Sequence, residues 1–307
     1  MPAVAQTFSD TTTLQFDRTV SEWTLTRTYC SAWGLHWFCS AWQRLPAMVD
    51  QNQTEVVMVR LLGGIALAFI WATSALAQVE LTWERAMVFI DKDAYGRIDD
   101  DDVKAKLAKM PPSPVIVYLH GCGGLLDRNG KFDGRAVDTF IKLNADGGRY
   151  IVVAPDSYAR PGRKSNCDPS NWSFSSNIGA IRVSEATFAV EQVRTMPWWD
   201  KKNLFLFGHS EGGAAALQYP NANVNAIIST GWSCGGGGTR PLPVPSSIPV
   251  LNIKSSSDPT DTRTLTCLGK LNGKSKFIDP QKPVHYVLAL PEMYREMADW
   301  LNTYRSN

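Results

Sequence analysis

Ser210 lies in the run LFLFGHSEGGA, where four apolar residues lead into Gly208-His209-Ser210-Glu211-Gly212. A serine hydroxyl is a poor nucleophile unless it is exposed beside a base. The G-x-S-x-G pattern, set between a strand and a helix, supplies the exposure: a sharp turn lifts Oγ above the sheet. Small residues at Gly208, Gly212 and Gly213 relieve the crowding that such a turn creates. The base must come from four histidines. His36 lies far upstream, His209 adjoins the nucleophile within the turn, and His120 precedes a glycine loop that it is placed to brace. His285, in Lys282-Pro283-Val284-His285, is the expected base, because this architecture runs Ser, acid, His along the chain. The acid is expected just past a strand between the two. Asp258 in IKSSSDPTD is in that place, and Asp261 is its competitor, better suited to the first turn of a following helix.

A negatively charged tetrahedral oxygen needs two N–H donors. The backbone N–H of Glu211 is one, at the start of a helix. The other is expected from Cys122, in His120-Gly121-Cys122-Gly123-Gly124. Leu126 occupies the place of a third glycine in that loop, which weakens a dinucleotide-binding reading.

These residues need a scaffold that brings strand ends together. The spacing predicts strands over Val115–Leu119, Tyr150–Ala154, Leu204–Phe207, Val224–Ser229, Pro249–Ile253 and Ser275–Ile278. It predicts helices over Asp133–Leu143, Ile181–Val193, Thr260–Leu271 and Pro291–Tyr304. Apolar strands alternating with helices imply an α/β fold with a mostly parallel central sheet and helices on both faces. Ligands in such sheets bind at the carboxyl ends of the strands, where the polar and Gly-rich segments fall.

The 307 residues carry a formal charge of +2 and no basic stripe with interleaved aromatics, so no nucleic-acid partner is expected. Residues 1–57 show no alternation of elements and are expected to be an extension, non-native or disordered. Met58-Val59-Arg60, an uncharged run from Leu61 to Val79 and Ala75-Leu76-Ala77 predict a signal peptide over 58–77. An uncleaved anchor is the alternative. Cleavage leaves a domain over 78–307, exported to the periplasm or medium, with no stable membrane association. Export puts Cys122, Cys167, Cys234 and Cys267 in an oxidising compartment. Of three pairings, Cys122–Cys167 and Cys234–Cys267 are expected, each joining loops after neighbouring strands. Asp91–Asp102 has acids and a glycine at several calcium-loop positions, but Tyr95 and Asp102 depart from that pattern. An acidic turn ahead of a helix over Val103–Lys109 is the favoured reading.

Several blocks together resemble the dienelactone hydrolase-like branch of the α/β-hydrolases: YLHGCGGL at 118–125, PDSYARPGRKSNCD at 155–168, the turn at 208–213, DPTDTRTLTCLGKL at 258–271 and PVHYVLALPEMYREMADWL at 283–301. The founding members use a cysteine nucleophile where Ser210 stands, so the resemblance leaves open whether the dienelactone itself is the substrate. The resemblance implies an α/β-hydrolase fold and hydrolysis of a small-molecule ester or lactone, without metal or cofactor. A peptidase or amidase on the same fold, and a non-catalytic binding protein, are the alternatives.

Overall fold

Apolar runs that can hydrogen-bond only to one another assemble into a sheet, and the runs expected as strands do so. The computed structural model describes residues 77–306, apart from 128, 146, 164–166, 168–175, 235–241, 261–266, 268 and 269. Among the described residues eight strands form one sheet: β1 (Met87–Asp91), β2 (Ala94–Arg97), β3 (Ser113–Leu119), β4 (Ile151–Ala154), β5 (Trp199–His209), β6 (Ala226–Thr230), β7 (Val250–Ile253) and β8 (Lys276–Ile278). Their order is β2-β1-β4-β3-β5-β6-β7-β8. From β4 to β8 every neighbouring pair is parallel. β1 runs antiparallel to both β4 and β2.

Side chains alternate between the two faces of a strand, and β3 divides accordingly. Val115, Val117 and Leu119 join one core with Ala186, Ala189, Val190 and Val193. Ile116 and Tyr118 join the other with Phe140, Leu143, Met297 and Leu301. The first set of partners lies on a long helix, α3 (Ser176–Thr195). The second lies on α2 (Gly134–Ala145) and α5 (Pro291–Thr303). In α2 the buried residues Ala136, Thr139, Phe140 and Leu143 recur at helical spacing. Pro291 starts α5, where a missing N–H costs nothing. Among the described residues there are also two shorter helices, α1 (Asp101–Leu107) and α4 (Glu211–Ala216). With helices on both faces of a mostly parallel sheet, this is the α/β-hydrolase architecture.

The β1–β2 hairpin departs from the sequence expectation. Asp91–Asp102 is more than a plain turn: its first residues end β1 and form β2, and its last begin α1. Among the described residues no group of three or more His, Cys, Asp or Glu side chains is arranged to hold a metal ion. The stretch 1–57, the signal segment through residue 76, Asp261 and most of the helix expected over 260–271 lie outside the described residues. Among the described residues no helix is long and apolar enough to cross a membrane.

Candidate active site

The site forms where β5 ends and α4 begins. Ser210 sits between them at φ 55° and ψ −116°, a conformation that a non-glycine residue adopts only under constraint. Its N–H donates to Thr230 O at 2.8 Å, and Ala214 N–H donates to Ser210 O at 3.0 Å. The turn is as crowded as its glycines imply. A Cβ on Gly208 would lie 2.1 Å from Gly212 O, and one on Gly212 would lie 2.0 Å from Leu119 O. Backbone stands on the far side of both contacts, so neither position can carry a side chain without moving the turn or β3.

Ser210, His285 and Asp258 meet in one chain of hydrogen bonds. His285 Nε2 is 2.9 Å from Ser210 Oγ. His285 Nδ1 is 2.7 Å from Asp258 Oδ2. Asp258 follows β7 and His285 follows β8, so three parallel strands deliver the three residues to one end of the sheet. Asp258 is buried, and both its oxygens are occupied. Oδ1 accepts from Thr260 N–H and Oγ1–H, each at 2.9 Å. Oδ2 also accepts from Lys254 Nζ, at 3.0 Å. Burial alone would raise the Asp258 carboxyl pKa. The hydrogen bonds from His285 and Lys254, with the His285 charge and the Thr260 N–H, outweigh it and hold the carboxyl well below the usual range.

The other two described histidines are held as neutral supports. His209 is buried, with Nδ1 3.0 Å from Thr230 Oγ1. Burial, aided by the charges of His285 and Arg135, lowers its pKa to about 3. His120 Nε2 accepts the Ser157 N–H at 3.1 Å. The ring proton therefore sits on Nδ1, which donates to Gly121 O at 2.7 Å. Burial and the Arg182 charge push the His120 pKa well below the usual value. His120 thus braces the loop after β3.

That loop carries Cys122, one of the two expected oxyanion donors. Gly121 packs against Ser210, since a Cβ there would lie 3.2 Å from Ser210 Cβ. Arg182 Nη2 donates to His120 O at 2.6 Å, and Tyr158 Oη donates to Cys122 O. A disulfide joins Cys122 to Cys167, and a second joins Cys234 to Cys267. Tyr158 and Cys167 are therefore fastened to the loop, the first by a hydrogen bond and the second by a covalent bond. Glu211, the other expected donor, begins α4. Its side chain faces arginine rather than open space: Arg163 Nη2 donates to Oε1, and Arg182 Nε lies 3.4 Å from the same atom. Arg182 also pairs with Glu185 at 2.9 Å, with both side chains fully buried. This ionic cluster of Arg163, Arg182, Glu185 and Glu211 and the buried Lys254 are absent from the sequence-based reading. The available sign was a charged residue inside an apolar element: Arg182 among the core residues of α3, and Lys254 directly after VLNI.

No known family model matches the chain, and no curated protein matches it. Solved structures do. A dienelactone hydrolase from Anabaena variabilis is 18% identical, with 64% of this chain and 90% of that one covered and a TM-score of 0.46. A dienelactone hydrolase-like promiscuous phosphotriesterase from metagenomic libraries is 15% identical, with 65% and 90% covered and a TM-score of 0.45. An esterase from Pyrococcus furiosus is 12% identical, with 64% and 85% covered and a TM-score of 0.45. What the site can do follows from its own geometry.

Proposed function

We propose that the chain is a serine hydrolase that cleaves a carboxylic ester or lactone through an acyl-enzyme intermediate. The observation that carries this reading is the unbroken hydrogen-bond chain Ser210–His285–Asp258 on a strained turn at the end of β5. With Nδ1–H held by Asp258, the lone pair of His285 Nε2 faces Ser210 Oγ. As Oγ attacks the carbonyl carbon, its proton passes to Nε2, and the carbonyl π electrons move to oxygen. The backbone N–H groups of Cys122 and Glu211 are assigned to that oxyanion. The imidazolium then protonates the leaving alkoxide, and the C–O bond breaks. A water attacks the acyl-enzyme, with His285 taking its proton, and Ser210 is released. Asp258 orients the ring and offsets its positive charge in both halves.

A fluorophosphonate probe should label the protein at Ser210. A panel of aryl esters with graded acyl length, run beside a lactone and an amide, should show turnover of ester or lactone ahead of amide. Absence of labelling at Ser210 would defeat the assignment. Faster amide turnover would shift it to a peptidase or amidase.

We further propose that the domain over 78–307 is exported after removal of 58–77. Two observations support this: the basic start, apolar run and Ala75-Leu76-Ala77 ending, and the presence of two disulfides among the described residues. N-terminal sequencing of protein from an exporting host should begin at Gln78. A stable cytoplasmic product that keeps residues 1–57 is the contrary result.

A further inference from the structure

The expected acid of the site does not face His285 alone. Lys254, directly after β7, is fully buried, and its Nζ donates to Asp258 Oδ2 at 3.0 Å and to Ser255 O at 3.1 Å. The same Oδ2 takes the His285 Nδ1–H at 2.7 Å. An ammonium and an imidazole therefore share one carboxylate oxygen, while Thr260 occupies the other. Burying a lysine is costly, and a carboxylate already held by Thr260 and His285 does not need one to stay hydrogen-bonded. We propose that Lys254 is a positioning residue of the hydrolytic site, whose buried charge fixes the Asp258 carboxylate and partly neutralises it before His285 becomes protonated. This inference rests on the hydrolase reading and deepens it.

The consequence is a working pH. A fully uncompensated carboxylate beside His285 would favour imidazolium in the resting enzyme, and imidazolium cannot take the Ser210 proton. Lys254, 3.0 Å from Oδ2, offsets part of that carboxylate charge. Other groups bear on the pair. The Lys254 charge acts on Asp279 through space, and Asp279 accepts the Ser256 N–H on the acid loop at 2.9 Å. The His209 ring lies 5.4 Å from that of His285, and the Tyr286 ring packs edge-on against His209. Arg135 lies over the Tyr286 ring, 4.8 Å from its centroid. Of the two cations among them, Lys254 is the one that contacts the carboxylate.

The test compares wild type, Lys254→Met, Asp258→Asn and the double variant in the full chain. The readouts are kcat/KM for an aryl ester across about pH 5 to 9 and fluorophosphonate labelling at Ser210. Removing the ammonium leaves the full carboxylate charge on His285. The acidic limb of Lys254→Met should therefore move to higher pH, by about one unit. Its plateau kcat should fall about tenfold as the carboxylate loses one of its holds. A merely structural lysine would lower the yield of folded enzyme without moving the limb. Because Lys254 acts through the carboxylate, its loss should cost little once Asp258 is Asn, so the double variant should lie within about threefold of Asp258→Asn. An unmoved limb in folded Lys254→Met, or a double variant far slower than Asp258→Asn, would overturn the proposal. The second comparison stands even if Lys254→Met does not fold, since the double variant leaves neither charge unpaired. Wild type that does not label at Ser210 would overturn the hydrolase reading and this inference together. Wild type that labels, with an unmoved limb in the variant, would overturn this inference alone.

Discussion

Ser210→Ala is expected to lower the turnover number for the best ester by about 10⁴–10⁶, and His285→Ala by a similar factor. The two side chains are linked through one 2.9 Å contact. Without Oγ there is no acyl-enzyme, and without the ring there is no acceptor for the Oγ proton. Groups that act as a unit lose their joint contribution once, so the double variant should fall little below either single one. Binding and the oxyanion donors remain, which leaves a residual rate above water. Neither change should harm folding much. Alanine has room at both positions, and the β5–α4 turn is fixed by the Thr230 and Ala214 backbone hydrogen bonds rather than by Oγ. His120→Ala is the contrast. His120 contacts the Ser157 N–H and Gly121 O, so its loss should loosen the loop that carries Cys122 and slow turnover, while Ser210 remains open to the probe. Steady-state kinetics on these variants, with circular dichroism to check folding, decides the matter. Near-normal ester turnover by His285→Ala would remove His285 as the base.

The parallel part of the sheet could be read from the sequence because β3, β4, β6 and β7 are buried along their whole length. A strand covered on both faces must be apolar throughout, and such a run stands out from its surroundings. The meeting of Ser210, Asp258 and His285 could be anticipated for a related reason. Parallel strands put all their carboxyl ends on one side, so chain order alone brings strand-end residues together. The hairpin was hidden by the opposite circumstance. β2 is AYGR, only partly buried, at the edge of the sheet, and contains a glycine. Nothing in it alternates, and the acids around it suggested a loop. The polar supports were hidden because their partners are distant in the chain: Arg182 and Arg163 pair with Glu211, and Tyr158 hydrogen-bonds to Cys122 O. A charged residue within an apolar element announces only that it needs a partner, and the fold decides which one it gets.

Asp258→Asn separates what the acid does for chemistry from what it does for the fold. On the chemical side the loss should be on the order of 10⁴ in kcat, because an amide no longer enforces the Nδ1–H tautomer of His285 or offsets its charge. At the level of the sequence, a polar residue at a loop end suggests little cost to folding. The structure argues otherwise, since Asp258 is buried against a fully buried Lys254. Asn removes the Asp258 carboxylate from that ammonium, and breaking a buried pair from one side costs about 3–5 kcal/mol. The variant should therefore be both slow and markedly less stable, with an earlier midpoint in chemical denaturation. Replacing the lysine as well should restore most of the stability and none of the activity, because Lys254→Met in that background removes the buried charge but cannot restore the carboxylate. The two effects of one substitution then come apart: one tracks the charge on Lys254, the other the hydrogen bond to His285. An Asp258→Asn protein as stable as wild type would mean that the remaining contacts of Lys254 hold its charge. One that also turned over ester at the wild-type rate would remove Asp258 from the site.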